Sequence, residues 1–549
     1  MTEESTPFRQ QPFNWIRIPL VVLFAFACAT CTQAPNGSSR EANNLDAGRR
    51  ILHRGSGGEP SSLDPAQALD TFSFEILRDL FEGLTSESPD GSVVPGVAST
   101  WTVSDSGLNY EFEIRSDAKW SDGEPVRARD FVLAWQRIVD PSNASPVADV
   151  LRPIKFAPEI LSGKMSPEKL SAHALDDRKL VVELSRPTPY FPQILSHSAT
   201  FPTKEGHEKP TNAHTNWVSN GPYVLSSWRP GTEIRLERNR FYWDKQHVQI
   251  DSISYSPISN EDSEFNQYRS GQLDITASVP LAALPIIRHD FPAELHIAPF
   301  LGVYYYALNL HTGPLSSSAK LRQALSMAID REALQGSLLP FGQVPAYGFV
   351  PPGTWNFNSQ SWKWKGMLID ARHQIARDLY SQAGYSTKNP LRVRLLFNSS
   401  PSIKRMAVAA AAMWTQNLGM ETELIDEEYR VFLDSRKKSS DWDVIRLGWT
   451  ADFNDAANFL DTLRSSSPNN DSGYKNPEFD RVLDLAESSN DAMKRKSLLE
   501  SAERIVLDDY PVIPLYFYTS KRMISPRVKG ATSNPLNRLY SKHLSIADK

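Results

Sequence analysis

Between Leu391 and Leu447 the chain alternates strand and helix, and no other feature restricts the fold as much. Leu391, Val393, Leu395 and Phe397 recur at every second residue, the period of a strand. Lys404 to Leu418 has helical spacing and runs into Gly419, a residue suited to the left-handed turn that stops a helix. Thr422 to Ile425 reads as a second strand, Tyr429 to Arg436 as another helix, and Val444 to Leu447 as a short buried strand. Strand–helix–strand units close in a right-handed sense almost without exception. An α/β fold is therefore expected, with Val444 to Leu447 in a parallel sheet.

Ligands of open α/β sheets lie just beyond the carboxyl ends of the strands. The segment D-V-I-R-L-G-W-T-A-D-F-N-D, residues 443–455, takes that position. Gly448 and Trp449 break the strand, and a loop carrying Asp452, Asn454 and Asp455 follows. Arg446 and Asp452 set opposite charges about one cleft, which suits a zwitterion with separated ends, such as a short peptide. The same two residues equally suit an ion pair within the protein or a loop-capping Asp. Trp449 suits a cleft wall and the core alike.

At 549 residues the chain is too long for one hydrophobic core. Phe72 to Leu84 reads as a helix with Phe74, Leu77, Leu80 and Phe81 on one face and Arg78 opposite, where a solvated and a cleft role both fit. From Pro95 to about Pro202 the pattern is antiparallel and mixed: Tyr110, Phe112 and Ile114 alternate with polar residues, and Phe131, Ala134, Trp135 and Ile138 share a helix face. Further strands are expected at Ile250 to Tyr255, at Leu273 to Ile275 and at Tyr510 to Tyr518, with an amphipathic helix over Ser318 to Asp330.

G-W-T-A-D-F-N-D resembles the W-x-A-D-Y-N-(E/D) segment of periplasmic oligopeptide-binding proteins, the receptors of peptide ABC importers. E-P-S-S-L-D-P (59–65), R-D-L-F-E-G-L (78–84), D-A-K-W-S-D-G (117–123), D-F-V-L-A-W-Q-R (130–137), Y-R-S-G-Q-L-D-I (268–275), V-Y-Y-Y (303–306), V-P-A-Y-G (344–348) and Y-K-N-P-E-F-D (474–480) stand in the same order. The resemblance covers nearly everything after residue 50. It implies a periplasmic-binding-protein-like fold of two α/β lobes joined by a hinge, with an additional mixed α/β lobe. Lobe I would comprise residues 51–81, 206–301 and 518–549, lobe II 82–205, and lobe III, with the peptide-anchoring residues, 302–517.

The resemblance also implies roles. Asp452 takes the position that grips a peptide's α-ammonium. Arg446 and Arg436 match two basic positions that receive its carboxylate, with Trp449 and Tyr305 as further ligand-binding residues. Two other basic positions fall at Leu339 and Ile403, which are apolar. A disulfide found in some members would fall at Gly302 and Thr450, so it is missing here. The implied partners are short peptides and the permease of an importer with its ATPase subunits, the receptor itself being a monomer. A murein-peptide or other solute receptor of the same family, and a periplasmic peptide-processing enzyme, are the alternatives.

Arg9 and Arg17 precede an apolar run, Ile18 to Ala27, too short for a permanent membrane span, so residues 1–31 read as a signal peptide. Ala27-Cys28 resembles a lipoprotein cleavage site, with Cys31 a competing position, and a Cys28 so modified would anchor the chain to a membrane. Residues 32–50 read as a flexible tether. Both cysteines precede the folded region, whose cores must suffice without a disulfide. A formal charge of −5 gives no basic footprint for nucleic acid. No G-x-S-x-G or H-E-x-x-H occurs, the nearest pair of histidines is His207 and His214 in a polar loop, and no metal or cofactor is implied.

Overall fold

The computed structural model describes residues 48–207, 217–336 and 338–547. The expected signal peptide with Cys28 and Cys31, the tether up to residue 47, and His214 lie outside the described residues. Arg49–Lys549 forms one compact unit.

Three larger sheets organise it. In the first, Ile51–Gly55 pairs in parallel with Ser252–Ser256, and Glu233–Arg238 and Tyr223–Arg229 continue it antiparallel. Helix Thr71–Leu80 starts at Asp70, whose side chain accepts from Ser73 N at 2.8 Å. Arg78 is half-buried on it, and its charge is opposed by Arg538 and supported by Glu87. The second sheet is antiparallel, in the order Ala98–Val103, Asn109–Ile114, Lys179–Glu183, Ala172–Ala174. Tyr110, Phe112 and Ile114 are buried in it while Asn109 and Glu111 are exposed, the alternation of a sheet covered on one face. Phe131, Ala134, Trp135 and Ile138 of helix Ala128–Val139 are buried in the same core.

The third sheet has six strands in the order Val344–Pro345, Val512–Met523, Leu295–Leu308, Val444–Thr450, Arg392–Asn398, Glu421–Glu427. Helix Pro401–Leu418 makes the expected crossover and ends at Gly419 with φ +69°. It begins three residues earlier than the apolar spacing shows, because Pro401 loses nothing at a first turn whose N–H groups have no partner in the helix. The expectation of a parallel sheet around Val444–Thr450 holds on one side only. That strand is parallel to Arg392–Asn398 and antiparallel to Leu295–Leu308. Helical crossovers join only the strands from 392 to 450; the two long strands arrive from other parts of the chain. The strand expected at Leu273 to Ile275 is reduced to bridges from Ile275 to Arg54 and Ile524.

Leu295–Leu308 and Val512–Met523 run side by side over their whole length, with two breaks in register. Between the pairs Pro299/Thr519 and Val303/Phe517, three residues oppose the single Tyr518. The second break falls at Pro514, which has no N–H to give the ladder.

Candidate functional site

The loop after Val444–Thr450 is clamped by its backbone and its neighbours. Asn458 Oδ1 accepts from Trp449 Nε1 at 2.8 Å and from Asp452 N at 3.3 Å. Ala451 N donates to Leu301 O at 2.9 Å, tying the loop to the first register break. Arg538 donates to the carbonyl of Asp452 and to the carboxylate of Glu87. Phe453 stacks on Tyr190 with ring centroids 4.5 Å apart. Asp455 is buried and takes both ends of Arg495, at 2.7 and 2.8 Å. Asn454 Oδ1 accepts from Trp355 N at 2.8 Å. Every residue from Ala451 to Asp455 is thus held from outside the loop.

Asp452 is held by its backbone and by a hydrogen bond from Asn458 to its carboxylate. Its carboxylate forms no ion pair among the described residues and opens to solvent. So much protein surrounds this opening that burial raises its pKa, against the attraction of Arg538 and a hydrogen bond from Asn458.

Arg446 is the complementary case. Its guanidinium lies over the Tyr304 ring, 4.6 Å from the centroid, and donates to Asn398 Oδ1 at 3.2 Å and to Tyr518 Oη at 3.3 Å. Its Nε is buried without a partner, and no carboxylate lies within ion-pair distance among the described residues. Aromatic faces and neutral oxygens stabilise a cation but leave its charge uncompensated.

Arg436 is placed differently. Asp471 takes it in a two-pronged ion pair, Nε to Oδ1 at 2.6 Å and Nη2 to Oδ2 at 2.7 Å, so its charge is already matched. Tyr305 is buried, edge-on to Phe349 at 5.2 Å, and burial raises the pKa of its hydroxyl. Trp449 is half-buried against the main core with its N–H spent on Asn458. Leu339 is buried, and Ile403 packs on the core of the third sheet.

Gly302 and Thr450 face each other in register. Tyr518 covers this place: a Cβ built at Gly302 meets its ring at 2.6 Å, and one at Gly448 meets its hydroxyl at 2.5 Å. Only glycine admits the ring at both positions. Tyr518, Asn398, Asn458 and Arg538 escaped the reading of the sequence. Each reaches the site from another strand, a helix or the C-terminal tail, and local spacing carries no trace of such contacts.

The model of the bacterial extracellular solute-binding proteins, family 5 Middle, matches residues 92–471. The periplasmic oligopeptide-binding protein OppA of Escherichia coli strain K12 is 38% identical over 508 residues, covering 91% of this chain and 93% of its own. Among solved structures, the Escherichia coli murein tripeptide binding protein MppA superposes with a TM-score of 0.81 at 35% identity, over 91% of this chain and 99% of its own. Haemophilus influenzae OppA in complex with RPPGFSPFR does so with a TM-score of 0.79 at 32% identity, over 91% and 99%.

Proposed function

The chain belongs to the bacterial extracellular solute-binding proteins of family 5, and on that footing we propose that it captures short oligopeptides and delivers them to the permease of an ABC importer. One observation carries this reading. A carboxylate and a guanidinium, Asp452 and Arg446, stand on one strand and its following loop, and neither has an ion-pair partner among the described residues. A peptide supplies the ammonium for the first and the carboxylate for the second. Its backbone N–H and C=O groups are common to all peptides, and gripping them gives affinity without sequence preference. Micromolar binding corresponds to about −8 kcal/mol.

Lobes I (51–81, 206–301, 518–549), II (82–205) and III (302–517) would close on the ligand. The register break at Phe300 to Gly302 opposite Tyr518 supports a hinge there. Arg436 is a weaker carboxylate receiver in this reading, because a ligand would have to compete with Asp471. Trp449 and Tyr305 shape the wall. The chain acts as a monomeric receptor and not as an enzyme. It is exported by residues 1–31 and held at a membrane through Cys28, and no helix among the described residues is itself long and apolar enough to cross one.

The relation to MppA favours a second reading in which the peptide comes from murein. Denaturing the purified protein and identifying the released ligands by mass spectrometry tests both. Linear peptides with free termini support the first reading, and murein peptides the second. Recovery of a non-peptide solute, or cleavage of added peptides, overturns the proposal.

A further inference from the structure

Asp452 meets a guanidinium without pairing with it. Arg538 Nη2 donates to the main-chain carbonyl of Asp452, and Arg538 Nη1 donates to the carboxylate of Glu87. The carboxylate of Asp452 belongs to the same residue as that carbonyl, yet it forms no ion pair among the described residues and stays exposed. Glu87 and Asp452 are the acids whose charges attract Arg538. The guanidinium stands between two anions and is committed to one.

Burial explains the choice. Glu87 ends the short strand Thr85–Glu87 and is 2% exposed, whereas Asp452 opens to solvent. Unlike charges attract more strongly in a dry interior than at a solvated surface. Ser196 Oγ donates to Glu87 Oε1 at 2.7 Å and so fixes the oxygen that Arg538 takes, while Glu87 Oε2 is buried without a hydrogen-bond partner. Releasing the guanidinium would leave this buried charge uncompensated. The main chain of Arg538 is fixed as well. Asn534 Oδ1 accepts from Arg538 N at 3.1 Å, and Asn534 Nδ2 donates to Arg538 O at 2.6 Å. Leu301 N donates to Pro535 O at 2.7 Å, and Ala451 N to Leu301 O at 2.9 Å, so one strand ties this tail to the 451–455 loop.

Resting on the peptide-receptor reading, we propose that Glu87 is a positioning residue for ligand capture, which holds Arg538 on the carbonyl of Asp452 and thereby keeps the Asp452 carboxylate free for the ligand's ammonium. Arg538 then serves the loop as a clamp instead of filling the site as an internal counter-ion. Without Glu87 the same guanidinium needs only to pass from the carbonyl to the carboxylate of one residue, and a free-amine ligand has to displace it. Glu87, being buried, acts through Arg538 alone.

Glu87→Gln tests this by calorimetry at pH 7 with a free-amine tripeptide and its N-acetyl form. In this variant the preference for the free amine is expected to fall by about tenfold, the cost of displacing one charge-assisted hydrogen bond, with the N-acetyl peptide bound no more weakly than before. Glu87→Leu together with Arg538→Met removes the buried acid and the competing cation at once, and is expected to restore the preference, which a merely structural Glu87 would not allow. A thermal melt checks folding. Should Glu87→Gln not fold, Ser196→Ala takes its place; it removes only the hydrogen bond that fixes Glu87 Oε1 and is expected to give a smaller fall of the same sign. If the preference is undiminished, if both peptides weaken alike, or if the double variant fails to restore it, Glu87 does not position Arg538 although the receptor reading stands. If the unaltered protein shows no preference for the free amine, that reading fails too.

Discussion

Asp452→Asn replaces a carboxylate by a neutral amide of nearly the same shape. The backbone of residue 452 keeps its bonds to Asn458 and Arg538, and no ion pair within the protein is lost among the described residues. Stability of the ligand-free protein is therefore expected to change by less than about 0.5 kcal/mol. In the complex the ligand's ammonium faces an amide. Breaking one side of a buried pair costs roughly 3–5 kcal/mol. Because Asp452 is open to solvent without ligand, the lower end applies, and about 3 kcal/mol is a loss of roughly 150-fold in affinity. Calorimetry at pH 7 with a free-amine peptide and its N-acetyl form, on both proteins, isolates the term. The unaltered protein should prefer the free amine by that factor, and Asp452→Asn should lose the preference. Equal binding of both peptides by the variant, as tight as in the unaltered protein, would refute the assignment.

The remaining predictions concern what holds the site. Arg495→Met strands the buried Asp455 and is expected to cost roughly 3–5 kcal/mol in urea denaturation, with weaker peptide binding as the loop loosens. Glu503 is buried and accepts from Phe349 N, Val350 N and Gln360 N at 2.8 Å each; burial outweighs these bonds and pushes its carboxyl up to about 7. The folded state thus holds this proton more tightly than the unfolded chain. Its contribution to stability is present at low pH and falls by about 3 kcal/mol as pH rises from about 4.5 to 7, so the unaltered protein should lose about that much stability relative to Glu503→Gln across that window. Asn398→Asp gives Arg446 an internal anion 3.2 Å away. It is expected to raise the melting temperature of the ligand-free protein and weaken short peptides with a free carboxylate, while their C-terminal amides bind as before.

The strands and helices from 391 to 450 were legible because a single period, two or 3.6, repeats long enough within each to exclude the other. Tyr429–Arg436 has the expected bounds, and Gly419 stops its helix with the expected positive φ. The direction of the long neighbouring strands was not legible, since Leu295–Leu308 looks the same read either way. Asp452 was legible from its motif, but the condition of its charge was not. The partners that decide whether a charge is spent lie far off in sequence. Asp471 is 35 residues from Arg436. Identical residue types at expected places therefore divided into Arg446, with no acid beside it, and Arg436, already matched.

The separation of Arg446 from Asp452 has a structural cause. Arg446 is in register with Tyr306, on the face that also carries Tyr304, where rings and an amide enclose its guanidinium. Asp452 follows the end of the same strand, in a loop whose backbone is fixed by Asn458, Leu301 and Arg538. The strand is rigid and the loop is clamped, so the two charges cannot swing together and neutralise one another. If the lobes close as proposed, a half-buried cation and a crowded anion kept apart in this way would disfavour closure over an empty site, since closing removes water from both. A dipolar ligand of matching length would reverse that balance by supplying both counter-charges at once. In the receptor reading proposed above, the clamps on this loop would make closure depend on the ligand.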